Sequence, residues 1–148
     1  MMRVFVDTNV LLDVLAQREP FYRDSATVWT LAEHGKIEGM VSALSFSNVY
    51  YIVRRLTNRR TARRALVLLR DTFVPVACDQ QVLSQAIDAG MKDFEDAIQY
   101  FSAVRAEATA LVTRNPGHFP RSDLAIVTPA EFLAMHSFDR SEPSGGPS

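Results

Sequence analysis

Five short, largely apolar runs, at residues 4–6, 39–42, 73–76, 108–112 and 124–127, are separated along the whole chain by stretches with helical periodicity. A run that brief and that apolar suits a strand buried on both faces, as in a parallel sheet covered by helices. Parallel neighbours cannot be joined by tight hairpins; they need crossovers, usually helical and right-handed. The alternation therefore predicts an α/β fold, a three-layer α/β/α sandwich around a parallel five-stranded sheet. Pro75 has no amide proton to give a ladder, which places the run 73–76 at an edge or a strand end.

The helical stretches carry their own punctuation. Val10, Leu11, Val14 and Leu15 form an apolar face that ends ahead of Pro20, and Ala26, Trp29 and Ala32 form a second that ends at Gly35. Leu44, Val49, Ile52, Val53 and Leu56 predict a third helix, and Ala62, Ala65, Leu66 and Leu69 a fourth with arginine on its outer face. Asp79 is a cap for a helix with Val82, Leu83, Ala86 and Ile87 inward, ending at Gly90. Asp93 opens the next, with Phe94, Ala97, Ile98, Phe101 and Val104 at core spacing. Thr128, Pro129 and Glu131 supply a cap, a proline at the first helical position and a capping-box acid. Residues 137–148 have no core-forming pattern, so one domain over 1–136 followed by a disordered C-terminal tail is expected.

A chain of 148 residues suits one domain with a substantial core. The net charge of −1 conceals a local concentration: Arg54, Arg55, Arg59, Arg60, Arg63 and Arg64 fall within eleven residues. A single cysteine, Cys78, excludes an intramolecular disulfide and a cysteine-based zinc site, and suits a reducing cytoplasm. No signal-peptide pattern and no membrane-length apolar run is present, so a cytoplasmic protein without membrane attachment is expected. Gly-rich phosphate loops, His-Glu-x-x-His and Gly-x-Ser-x-Gly are likewise absent.

Carboxylates remain as the candidates for chemistry. Asp7 follows the first apolar run directly, at the strand end where α/β sheets place their ligands. Helix capping is the competing role for Asp7, and also for Asp93 and Asp96 at the start of a later helix. Asp93 and Asp96, three apart, share a helix face, whereas Glu95 is turned from both by about a hundred degrees per residue. Gathered at one sheet edge, such acids would match the oxygen-rich coordination that Mg²⁺ or Mn²⁺ prefers.

Taken together, Phe5-Val6-Asp7-Thr8-Asn9-Val10-Leu11-Leu12-Asp13, Ser42-Ala43-Leu44-Ser45 with Tyr50-Tyr51-Ile52, Asp93-Phe94-Glu95-Asp96-Ala97-Ile98-Gln99 and Val112-Thr113-Arg114-Asn115 with Phe119 make a chain that resembles a PIN domain. The resemblance is to the VapC-like toxin ribonucleases of bacterial toxin–antitoxin pairs. It implies a metal-dependent endoribonuclease in which Asp7 and Asp96 hold Mg²⁺ or Mn²⁺, with Asp93 as a further ligand or a water-orienting base. It also implies an RNA substrate, a small antitoxin partner and a homodimer. Two of the family's acids are replaced: Asn48 stands on the helix after the second strand and Asn115 follows the Thr-Arg turn. An amide offers a carbonyl oxygen but no charge, which weakens the pull on a cation.

Thr8, Asn9, Thr113 and Arg114 would then line the site, Arg114 being suited to grip a phosphate. The arginines from Arg54 to Arg64 suit an RNA backbone, with a solvated helix face as the alternative of about equal weight. Two functions are thus on the table: a metal-dependent ribonuclease toxin, and a catalytically weak or inactive PIN-like module that binds RNA or protein.

Overall fold

The structure, a computed structural model, describes residues 1–138. Its five strands are β1 (Arg3–Val6), β2 (Glu38–Ser42), β3 (Val74–Val76), β4 (Ala110–Val112) and β5 (Ala125–Val127). They lie in the order β3-β2-β1-β4-β5, and all four pairings are parallel. The expected α/β/α sandwich is therefore the observed fold. β3 lies at an edge, where the missing amide of Pro75 is harmless.

Strand side chains alternate between the faces and so build two cores. Val4, Val6, Val41, Ala110 and Val112 point to the larger one, shared with α1 (Thr8–Leu15), α2 (Tyr22–Glu33), α3 (Ala43–Leu56), α4 (Arg59–Thr72) and α7 (Pro129–Met135). Phe5, Met40 and Leu111 point to the other face, where Ala103 of α6 (Phe94–Arg105) covers them. α5 (Gln80–Asp88) packs on α6 through Val82, Ala86, Ala97 and Ile98. At Gly39 an added Cβ would come within 2.6 Å of the Phe73 ring, so only glycine lets β2 lie this close to it.

Most caps match the residue types that predict them. Ser42 accepts from the Leu44 amide, Asp79 from Val82, and Thr128 with Glu131 closes a capping box. Three helices differ from the expected burial: in α3, Leu44 and Leu56 are exposed. Leu83 and Ile87 of α5, and Phe94 and Val104 of α6, are exposed, while Val82, Ala86, Ala97 and Ile98 carry the contact. α5 and α6 bury narrow stripes against each other, so the flanks of each apolar face are left in solvent. Of the expected tail, residues 139–148 lie outside the described residues; the ring of Phe138 lies 5.8 Å from that of Phe132.

Candidate functional site

After β3 the chain crosses from one side of β1 to the other, so the strand order reverses between β1 and β4. Ligand sites of open α/β sheets lie outside the strand ends at such a reversal. Asp7 follows β1 there and Thr113 follows β4, their backbones tied by the Asp7 amide donating to the Val112 carbonyl at 2.9 Å. Asp7 occupies the N-cap position of α1, yet its carboxylate makes no capping hydrogen bond. It accepts instead from the Thr113 hydroxyl at 2.7 Å, and it is only 4% exposed. The capping role that competes for Asp7 in the sequence is therefore not the one its side chain performs.

Across a cleft of about 270 Å³ stand Asp93, Glu95 and Asp96 at the start of α6, with Asn48 of α3 on the adjoining wall. Asp93 is the true cap of α6: its Oδ1 accepts from the Asp96 amide at 2.9 Å. Because Asp93 is an extended residue outside the helix, the argument that it shares a helical face with Asp96 does not apply to it. Glu95 lines the cleft as well, and its Oε1 accepts from Asn48 Nδ2 at 3.3 Å. His118 reaches the same group, with Nδ1 3.6 Å from Asp96 Oδ2.

Burial pushes the Asp7 carboxyl up to about 6; the Thr113 hydrogen bond opposes this, while the charges of Asp96 and Glu95 add to it. Glu95 and Asp96 are also raised, each by burial first and by Asp93 next, with His118 lowering Asp96 in part. Among the described residues no cation pairs with Asp7. The cleft is thus a concentration of carboxylates whose charged forms are disfavoured by burial first and by their own proximity next.

A sequence profile of the PIN domain matches residues 3–116. The chain belongs to the PIN domain family. Over 134 residues it is 24% identical to Ribonuclease VapC1 of Aquifex aeolicus, covering 88% of this chain and 92% of the relative. Among solved structures, a toxin–antitoxin complex from Klebsiella pneumoniae superposes with a TM-score of 0.64 at 22% identity, covering 85% of this chain and 97% of the other. VapC20 of Mycobacterium tuberculosis, described as a sarcin-ricin loop cleaving toxin, gives 0.61 at 16% identity over 73% of this chain and 86% of its own.

The remaining side chains of this PIN domain fall into three groups. Thr8 and Asn9 line the cleft beside Asp7. Thr8 Oγ1 is 2.7 Å from Ser45 Oγ, and Asn9 accepts from the Arg114 amide at 3.3 Å. Arg114 itself is occupied elsewhere: Nε donates to Asp13 Oδ2 at 3.1 Å, Nη2 binds Asp13 Oδ1, and the guanidinium lies 4.1 Å over the Phe21 ring. Asn115 is exposed, and its backbone amide donates to Thr113 Oγ1 at 3.3 Å. Arg54 and Arg55 are exposed on the last turn of α3. Arg59, Arg60, Arg63 and Arg64 of α4 rim a groove of about 920 Å³ whose apolar wall includes Leu15 and Val53.

Chemically the cleft offers hard oxygen donors, which are the ligands of Mg²⁺ and Mn²⁺. As the side chains stand, no three His, Cys, Asp or Glu residues converge on one point among the described residues. Mg²⁺ does not need them to: it is commonly held by one or two carboxylates and keeps several waters. Asp7 and Asp96 both line the cleft. Ser45 and Gln99, both buried, stand within the runs that carry the resemblance, but patterning assigns them no role because polar groups inside helices carry no periodic signal.

Proposed function

We propose that this PIN domain is a metal-dependent endoribonuclease, the toxin of a type II toxin–antitoxin pair, hydrolysing RNA phosphodiesters with Mg²⁺ or Mn²⁺. One observation carries the reading: a buried Asp7 carboxylate at the strand reversal caps nothing, has no cation, and shares a cleft with Asp96 and Glu95. Such a carboxylate is destabilising unless a cation completes it. The ribonuclease name of the Aquifex relative and the toxin–antitoxin complex among the structural neighbours supply the substrate class and the partner. A homodimer is part of the same proposal.

Asp7 and Asp96 would hold the ion, Asp93 adding charge at the rim. A divalent cation bound there supplies a Lewis acid for the phosphoryl oxygens and lowers the pKa of water. The Thr113 hydroxyl fixes one Asp7 oxygen, Oδ2, in place. Asn48 brings no charge where the family resemblance implies an acid, but Glu95 reaches it from α6, so a carboxylate arrives at the same wall from the opposite helix. Glu95, whose carboxyl is raised by burial and by the charges of Asp93 and Asp96, lines the same cleft.

Incubating the purified chain with a broad RNA pool, with Mn²⁺ or Mg²⁺ and with chelator, tests this directly. Cleavage with metal only is expected, and D7N and D96N should each lose more than about 100-fold, beyond what an outer-shell change costs. RNA left whole under every condition, or a fully active D7N, sinks the nuclease assignment. Binding without cutting would point to a PIN-like binding module instead.

A further inference from the structure

Three buried polar side chains meet directly under the cleft: Thr8, Ser45 and Gln99, which are 4%, 0% and 1% exposed. Gln99 Nε2 donates to Thr8 Oγ1 at 3.3 Å and approaches Ser45 Oγ at 3.5 Å, while the two hydroxyls are 2.7 Å apart. The other end of the amide, Oε1, is buried and has no partner. Exchanging the amide's oxygen and nitrogen leaves the same account, with one end on the hydroxyls and the other bare.

For stability alone this is a poor arrangement. An orphaned buried carbonyl is destabilising, and an apolar side chain of similar volume would avoid it. Leucine or methionine would serve a packing role better, so the amide's contribution is to be sought in what it connects. Thr8 is the residue after Asp7. Ser45 precedes Asn48 by three residues on α3, and Gln99 follows Asp96 by three on α6, so each shares a helix face with its cleft residue. The buried cluster therefore joins the three elements that carry Asp7, Asn48 and Asp96, one layer below those side chains.

We infer that Gln99 is a positioning residue: through the Thr8 and Ser45 hydroxyls it fixes α6, and with it Asp96, against Asp7 and Asn48. Hydrogen-bonded groups behind a metal ligand orient it, and their loss typically weakens affinity or activity by about 10- to 100-fold. This rests on the metal-site assignment above, and the test separates the two. Mn²⁺ affinity is measured by titration calorimetry for the full chain, for Q99L and Q99M, for T8S, which keeps the hydroxyl, and for D7N, alongside melting temperatures in chelator.

The expected result is Q99L and Q99M melting at or above the original chain yet binding Mn²⁺ about 10-fold or more weakly, with T8S close to the original in affinity. The same two variants should lose kcat in RNA cleavage more than they raise KM. Either one binding Mn²⁺ as the original does, while D7N fails to bind, overturns the positioning role and leaves the metal site standing. Failure of the unmodified chain to bind Mn²⁺ overturns both. Should Q99L fold poorly, Q99M alone decides, because its unbranched side chain adapts to the same space.

Discussion

Asp7 is ionised at neutral pH only against the resistance of its surroundings. Its carboxyl is raised from 3.8 to about 6 by burial, so the folded chain binds this proton more tightly than the unfolded chain does. Stability from this group is therefore complete below about pH 4 and is lost as pH rises through about 6. The shift corresponds to roughly 3 kcal/mol. Asp7→Asn removes the charge and keeps the shape, and it should be more stable than the original chain in chelator at pH 7.5 by about 2–3 kcal/mol. Urea titrations at pH 7.5 and pH 4 check this, since the gain must vanish at the lower pH. A D7N less stable at pH 7.5 would show that Asp7 contributes to folding in its charged form. At this scale the sequence discloses Asp7 and Asp96, because a strand end and a helix start mark them. Glu95 is legible as a charge within one turn of Asp96, although its length, not its helical angle, brings it to Asn48; the role of Gln99 is hidden because it depends on hydroxyls of two other elements.

Elements are tied to one another by a clamp that the motif alone does not reveal. Asp13 of α1 is 1% exposed and holds Arg114, from the turn after β4, through two hydrogen bonds. The pair bolts α1 to that turn, so Asp7 and Thr113 are kept in register from both of their C-terminal neighbours. Taking away the arginine leaves a buried charge without a partner, which usually costs about 3–5 kcal/mol. As Arg114 retains 28% side-chain exposure, R114A should lose about 3 kcal/mol, the lower end of that range. Denaturant unfolding should show the double variant D13N/R114A recovering part of the loss, because the orphaned charge is gone. Equal stability of the single and double variants would mean that contacts other than the ion pair, such as Arg114 on Phe21, carry the effect. Strand and helix positions were readable because apolar runs and caps are local features of the chain. Which flank of a helix is buried is not local, as Leu83, Ile87, Phe94 and Val104 illustrate: α5 and α6 pack on each other through Val82, Ala86, Ala97 and Ile98, and α6 meets the sheet through Ala103.

Over the whole molecule, charge is divided between two neighbouring surfaces. Leu12 and Ile52 line the acidic cleft, and Leu15 and Val53, farther along the same two helices, line the arginine-rimmed groove. The α1–α3 seam thus leads from a cleft lined by carboxylates to a groove rimmed by four arginines. Under the proposed function, a phosphodiester chain entering the cleft would have its scissile phosphate served by the metal and its flanking phosphates by Arg59, Arg60, Arg63 and Arg64. On that account R63A/R64A should raise KM for RNA while leaving kcat nearly unchanged, because the two arginines contact only the flanking backbone. Plotted as log affinity against log salt, single-stranded RNA binding should lose about 0.7 in slope for each arginine removed, since each releases its share of counterions. An unchanged slope would assign the arginines to a solvated helix face. A reduced slope confined to the α4 arginines, with R54A/R55A unaffected, would show that the RNA follows the groove and not the end of α3.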